Sequence, residues 1–213
     1  MKNTLLLFAF IITVGTSCAP KIYKTEDFES KTASHKIVAI LPAEVTIALR
    51  PNEKKRTTVE QLRESEEKTG TMIQDKMYSW FLRRSEKFKY TVQFQDVSKT
   101  NALLLQNNIR YADMKTHTKE EIAKLLGVDA VISTSASMQK PMSEGAAVAM
   151  SLLIGYAGST NDVQTVININ EATKGDLVWK YDYNATGSIG SNPDRLVNAL
   201  MRNASKKFPY NDK

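Results

Sequence analysis

Cys18 is the only thiol in the 213 residues, and it stands where an apolar leader gives way to a polar chain. A lone cysteine cannot close an intrachain disulfide, so packing and hydrogen bonding alone must hold the fold together. The residues before it have the three parts of an export signal. Lys2 is a short positive start, Leu5 to Val14 an apolar run, and Gly15, Thr16 and Ser17 the small residues ahead of a cut. The run is shorter than the roughly 20 residues a helix needs to span a bilayer. Removing residues 1–17 leaves 196, enough for one domain with a sizeable core.

Gly15-Thr16-Ser17-Cys18 after such a run resembles the lipobox of bacterial lipoproteins. That family usually has Leu three residues before the cysteine; here Gly15 holds the place, with Val14 one further back. The resemblance implies a mature chain that begins at Cys18 and carries a thioether-linked diacylglycerol and an N-acyl chain. At about 0.8 kcal/mol per buried methylene one chain binds marginally and two hold stably, so three would hold the protein to its membrane. Ala19 follows the cysteine where an Asp would signal retention in the inner membrane. The same resemblance therefore implies the outer membrane, on its periplasmic face. The alternative is an ordinary secretory signal whose mature product carries a free thiol.

The formal net charge of +6, reduced by one when Lys2 leaves with the signal, is spread along the chain rather than gathered in one block, which argues against a nucleic-acid partner. Only His35 and His117 offer imidazole, without a second histidine or a thiol at ligand spacing, so no metal or other cofactor is expected.

Residues 18–35 are polar (Lys24, Thr25, Glu26, Asp27, Glu29, Ser30, Lys31) and read as a tether. A single domain is expected over 36–213. Lys36-Ile37-Val38-Ala39-Ile40-Leu41-Pro42 is a compact branched run suited to a strand buried on both faces; Pro42 ends or bends it, and Glu44 to Leu49 can continue it. Thr58 to about Lys87 places Ile73, Met77, Trp80 and Phe81 at helical spacing, with Gly70 as a point where the helix could divide. Tyr90 to Gln95 alternates as a half-buried strand, and Ser98 to Asn107 suits a helix. Thr118-Lys119-Glu120-Glu121 is a capping box whose helix buries Ile122, Leu125 and Leu126 and stops at Gly127, feeding the strand Val128 to Ser133. A hairpin follows, with Val163, Thr165, Ile167 and Ile169 facing one way and Leu177, Trp179, Tyr181 and Tyr183 matching them. Asn192-Pro193 starts a last helix that buries Leu196, Val197, Leu200, Met201 and Ala204. Its outer side carries Arg195, Arg202, Lys206 and Lys207, a solvated face or a contact for a partner or phosphate head group.

The apolar insertion at 143–160 stands apart, because Gly145 to Gly158 holds no charge in fourteen positions and is again short of a membrane span. A buried core helix, an assembly surface and a membrane-meeting segment all remain open. As a surface it would present Leu152, Leu153, Ile154 and Tyr156. Phe208 and Tyr210 join them as candidate interaction residues, on a short tail that either packs back or binds something.

Catalytic motifs are coincidental. Ser65-Glu66-Glu67-Lys68 and Lys68-Thr69-Gly70 fit two patterns of penicillin-recognising serine enzymes, but they share one lysine where that chemistry needs two separate elements. Neither a nucleophile elbow nor a phosphate loop occurs, and Asp129 suits a cap on a loop. No catalytic residue is assigned, and the chain is expected not to be an enzyme.

The resulting order, β-α-β-α-β-β-α, implies a two-layer or three-layer α/β domain with a mixed sheet. Lys36 to Pro42, Leu126 to Ile132 and Leu177-Val178-Trp179-Lys180-Tyr181 resemble the corresponding stretches of a group of envelope lipoproteins that includes CsgG, the penicillin-binding-protein activator LpoB and the amino-terminal domain of TolB. That resemblance implies a non-enzymatic, lipid-anchored protein that works by protein contact in envelope assembly or export. Its partners would be the membrane, through the acyl chains on Cys18, and an envelope protein. The alternatives it implies are an oligomeric subunit of an outer-membrane secretion channel and a regulator of a cell-wall synthase. A channel needs strands that alternate over about ten residues, and the continuously apolar Gly145 to Gly158 does not alternate.

Overall fold

The computed structural model describes residues 20–139, 161–187 and 192–211. A seven-stranded mixed sheet forms the centre. Its strands are β1 (Lys21–Lys24), β2 (Ile37–Ile40), β3 (Glu44–Ala48), β4 (Gln93–Phe94), β5 (Ala130–Gln139), β6 (Asn161–Glu171) and β7 (Leu177–Gly187). Spatially they run β1-β7-β6-β5-β2-β4, with β3 also on β5. On one side of β5 the pairing is parallel, to β2 and β3; on the other it is antiparallel through the hairpin to β1. The helices are α1 (Phe28–Thr32), α2 (Pro51–Lys54), α3 (Val59–Phe88), α4 (Val97–Gln106), α5 (Lys119–Leu126) and α6 (Pro193–Ala204), with a 3-10 turn at Tyr111–Thr116.

The branched run Lys36 to Pro42 and the stretch after it form one interrupted strand. β2 aligns Val38, Ala39 and Ile40 with Ala130, Val131 and Ile132, and β3 resumes on the same partner with Glu44 opposite Ser135. Pro42, which has no N–H to donate, sits in the gap. Neighbours satisfy the backbone there: Ala43 N–H donates to the Gly70 carbonyl (3.1 Å), and the Tyr111 hydroxyl donates to the Ala43 carbonyl (2.9 Å) while accepting from Val45 N–H (2.8 Å). This is why α3 is continuous through Gly70. A Cβ there would lie 2.3 Å from the Ala43 oxygen and 2.8 Å from the Tyr111 ring, so glycine provides close approach and not a break.

Two cores flank the sheet. Val38, Ile40, Ile132, Ile167, Ile169 and Trp179 pack beneath α3 and α6, while Ala39, Leu41 and Val131 pack against Leu104, Met114, Ile122 and Leu126 of α4, the 3-10 turn and α5. Both architectures expected from the sequence are therefore present in one sheet: three layers over the parallel half, two over the hairpin.

Local signals fix the elements. Thr58 caps α3 and Thr118 caps α5, each in a reciprocal box with Gln61 or Glu121; Asp96 caps α4 and Asn192 caps α6. Gly127 closes α5 in the left-handed conformation at φ 65°. The strand expected over Tyr90 to Gln95 narrows to Gln93–Phe94, because Tyr90 and Thr91 turn to bond the tail at Asn211 and Tyr210.

Two expectations are corrected. The tether at 18–35 is, from Lys21 on, part of the domain. β1 pairs antiparallel with β7 from Lys21↔Asp182 to Lys24↔Trp179, and Phe28 of α1 is buried. An edge strand whose four side chains are all exposed has no alternation to betray it, and one aromatic among seven polar residues is a faint signal. The tail aromatics are also core: Phe208 and Tyr210 are 1% and 2% exposed. The Phe208 ring centre lies 4.7 Å from Phe81 and 4.9 Å from Tyr90, and Tyr210 meets Phe28 edge-on at 5.4 Å.

Candidate interaction surfaces

The titratable groups that come together at the amino-terminal ends of the parallel strands are engaged in holding the fold. The Asp129 carboxylate accepts from Lys36 N–H (2.7 Å) and Ile37 N–H (2.8 Å), which fixes the start of β2 against β5. Burial pushes its acidity the wrong way, but the two amides outweigh it and hold the carboxyl below its usual range. Glu171 does the same for the hairpin turn, accepting from Thr173, Lys174 and Asp176 amides, and is likewise held low against its burial. His35 Nδ1 meets the Tyr210 hydroxyl at 2.8 Å; burial lowers the histidine and raises the tyrosine. Each group has an assignment within the fold, and no nucleophile and base face a common space there.

The hairpin half of the sheet is different. Below β6 and β7 the apolar side is covered by α6, and the opposite side carries polar residues in register across five strands. Ser133, Asn168, Lys180 and Tyr23 make one row; Glu44, Ser135, Val166, Asp182 and Lys21 make the next; Thr46, Ser137, Gln164 and Asn184 a third. The second and third rows, mostly short side chains, line a concavity of about 750 Å³. Asn184 Oδ1 is buried on it without a partner, and so is Asn168 Oδ1 in the first row beside it. The outer edge of β1 borders this face, with Ile22 and Tyr23 45% and 53% exposed.

A second, apolar cleft of about 520 Å³ lies between β3, the end of β5 and α3, among Ile47, Leu49, Met72 and Met138. Gln139 lines it and is the last described residue of β5.

Cys18 and the insertion residues Leu152, Leu153, Ile154 and Tyr156 lie outside the described residues, as does most of the glycine-serine loop after Gly187. Phe208 and Tyr210 are drawn into the core and form no surface. Sequence reading missed the polar rows. Their signal was available in the alternate positions of the hairpin, where Gln164, Asn168, Asp182 and Asn184 are polar and short to medium in length, with Lys180 as the one long cation among them. Among the described residues, no group of three histidine, cysteine or carboxylate side chains is placed to hold a metal ion. No described helix is long and apolar enough to cross a membrane.

No protein-family model and no curated protein sequence matches this chain. Solved structures with a similar arrangement include the PelC dodecamer from Paraburkholderia phytofirmans, at 9% identity and a TM-score of 0.42 over 87% of this chain and 94% of that one. The lipoprotein GNA1162 from Neisseria meningitidis matches at 12% identity and 0.45 over 81% and 96%. The LpoB C-terminal domain from Salmonella enterica matches at 12% and 0.34 over 75% and 93%. At these identities the likenesses say nothing of activity.

Proposed function

We propose that this chain is a lipid-anchored protein of the bacterial outer membrane, facing the periplasm, that works by contact with another envelope protein and not by catalysis. The observation that carries the reading is Gly15-Thr16-Ser17-Cys18 at the end of an apolar leader, three residues before the first strand of the sheet. Acyl chains on Cys18 would hold the sheet edge at the membrane. Asp129, Glu171, His35 and Tyr210 each have a structural task, and the open features are surfaces: a polar sheet face with unpartnered acceptors and an exposed edge strand. Such features suit binding better than chemistry.

The channel alternative needs lipid-facing strands. β6 and β7 have eleven residues each, the length of a barrel strand, but their apolar residues Val163, Ile167, Ile169, Trp179 and Tyr181 are already buried under helices. A regulator of a cell-wall synthase is a finer version of the contact reading.

Fractionation and mass test the proposal. The wild-type protein is expected in the outer-membrane fraction with an intact mass raised by three acyl chains, and Cys18→Ser in the soluble periplasm. An unmodified wild-type mass, or a Cys18→Ser protein that stays with the membrane, overturns the anchor. A wild-type protein that is a monomer in mild detergent overturns the channel; a discrete ring-sized mass revives it.

A further inference from the structure

A basic face runs along two helices on one side of the domain. On α3 the residues at helical spacing are Lys76, Trp80, Arg83, Arg84 and Lys87; on α6 they are Arg195, Asn198 and Arg202, with Lys206 just beyond the helix end. Two contacts set these stripes side by side: Trp80 Nε1–H donates to Asn198 Oδ1 at 2.7 Å, and Lys76 Nζ meets Asp194 Oδ1 at 3.0 Å. The Arg83 guanidinium lies 4.6 Å from the Trp80 ring centre, and Arg84 lies 5.7 Å from the same ring and 5.9 Å from Phe88. Stacking of this kind holds a guanidinium in place without neutralising it.

Lys76 is paired, but no salt bridge among the described residues engages Arg83, Arg84, Lys87, Arg195, Arg202 or Lys206. Arg84 Nε is buried with no acceptor. Asp75 and Glu86 flank the stripe, leaving a clear cationic excess. Leu82, 44% exposed, borders it and adds apolar surface beside the indole.

We infer that this face rests on an anionic phospholipid surface. The inference rests on the anchored reading for its geometry. Chain reach is at most about 3.6 Å per residue, so three steps from Cys18 to Lys21 hold β1 within roughly 10 Å of an acylated cysteine. So short a link holds the domain against the membrane, where a charged face turned toward it lies within about one Debye length at moderate salt. α6 packs over β7, the strand to which β1 is paired, which places the basic helices on the neighbour of the anchored strand. Unneutralised cations, ringed by a tryptophan and a leucine, complement a surface of phosphate head groups over hydrocarbon.

The test uses residues 18–213 with Cys18→Ser, which contain every described element and no acyl chain. Sedimentation with phosphatidylcholine vesicles is compared with vesicles about one-third phosphatidylglycerol. Binding is expected to the second and not the first, and to collapse when salt rises from about 0.1 M to about 1 M. Each neutralised cation costs roughly fivefold, so Arg195→Gln/Arg202→Gln/Lys206→Gln is expected to bind about a hundredfold more weakly, and Arg83→Gln alone about fivefold. Lys99→Gln/Lys115→Gln/Lys124→Gln, on the helices across the sheet, should leave binding unchanged, with thermal midpoints checking that all variants are folded. No binding of the parent to anionic vesicles, or equal losses in the two triple variants, overturns the inference. An acidic protein partner in place of lipid would give the first of these outcomes. Because no acyl chain is present, either result stands apart from the modification of Cys18, which intact mass decides.

Discussion

Gly70→Ala is expected to destabilise the protein, against the ordinary rule for helices. In an exposed helix interior the same substitution stabilises by about 1 kcal/mol, since alanine has the better propensity. Here the added methyl would sit 2.3 Å from the Ala43 carbonyl oxygen and 2.8 Å from the Tyr111 ring. Backbone supplies the closer contact, so no side-chain rotation relieves it. α3 must move off the β2–β3 interruption. Overpacking of this kind costs about 1–3 kcal/mol. The displacement also strains the bond from Ala43 N–H to the Gly70 carbonyl and the two bonds of the Tyr111 hydroxyl, each about 1 kcal/mol. Set against the propensity gain, the net loss is about 2–3 kcal/mol. Urea denaturation of the soluble Cys18→Ser form should show a lower midpoint at unchanged slope, and the thermal midpoint should fall by roughly 5–10 °C. Thr69→Ala, one position earlier, serves as the control for propensity. A Gly70→Ala protein as stable as its parent would refute the close-approach argument and return Gly70 to being a tolerated weak point.

Phe28→Ala is expected to cost about 3–5 kcal/mol, as for a buried aromatic, measured by the same denaturation; a loss under about 0.5 kcal/mol would restore the tether reading of residues 18–35. Acid should weaken the fold in two stages. His35 is held below its ordinary range by burial, so the unfolded chain takes its proton first and stability falls as pH drops through about 6.5. Asp129 and Glu171 are held low by backbone amides. Their contribution is complete above the usual carboxylate range and is lost as pH falls from about 4 toward their folded values. Thermal midpoints from pH 7 to pH 3 should show both limbs, with Asp129→Asn flattening the lower and His35→Gln the upper; an unchanged profile in either variant sinks that assignment.

Much of the fold was legible because it is written in local chemistry. Thr118 and Glu121, Asn192 before Pro193, and Gly127 after Leu126 are cap signals that work without reference to the rest of the chain. The alternation from Val163 to Ile169 and from Trp179 to Tyr183 reports one buried sheet face directly. What escaped depends on tertiary partners. β1 is recognised only by the edge it pairs with. Phe208 and Tyr210 follow too short a stretch to show a period, and their burial is created by Phe28, Phe81 and Tyr90 from three distant segments. Gly70 looked like a flaw because its reason for being there is residue 43, on another element. The polar rows were hidden for the same reason, since Glu44, Ser135 and Asp182 fall into one row only when four strands pair.

The pairing of β1 with β7 also has a mechanical side. The chain enters the domain at Pro20 and runs at once into a strand bonded from Lys21↔Asp182 to Lys24↔Trp179, with Phe28 locked into the core behind it. If Cys18 is anchored as proposed, a pull along the strand axis would load those pairs in shear, all together, while a pull across the sheet would peel them from Lys21 inward. The first strand would then act as a handle whose strength depends on the direction in which the envelope tugs it.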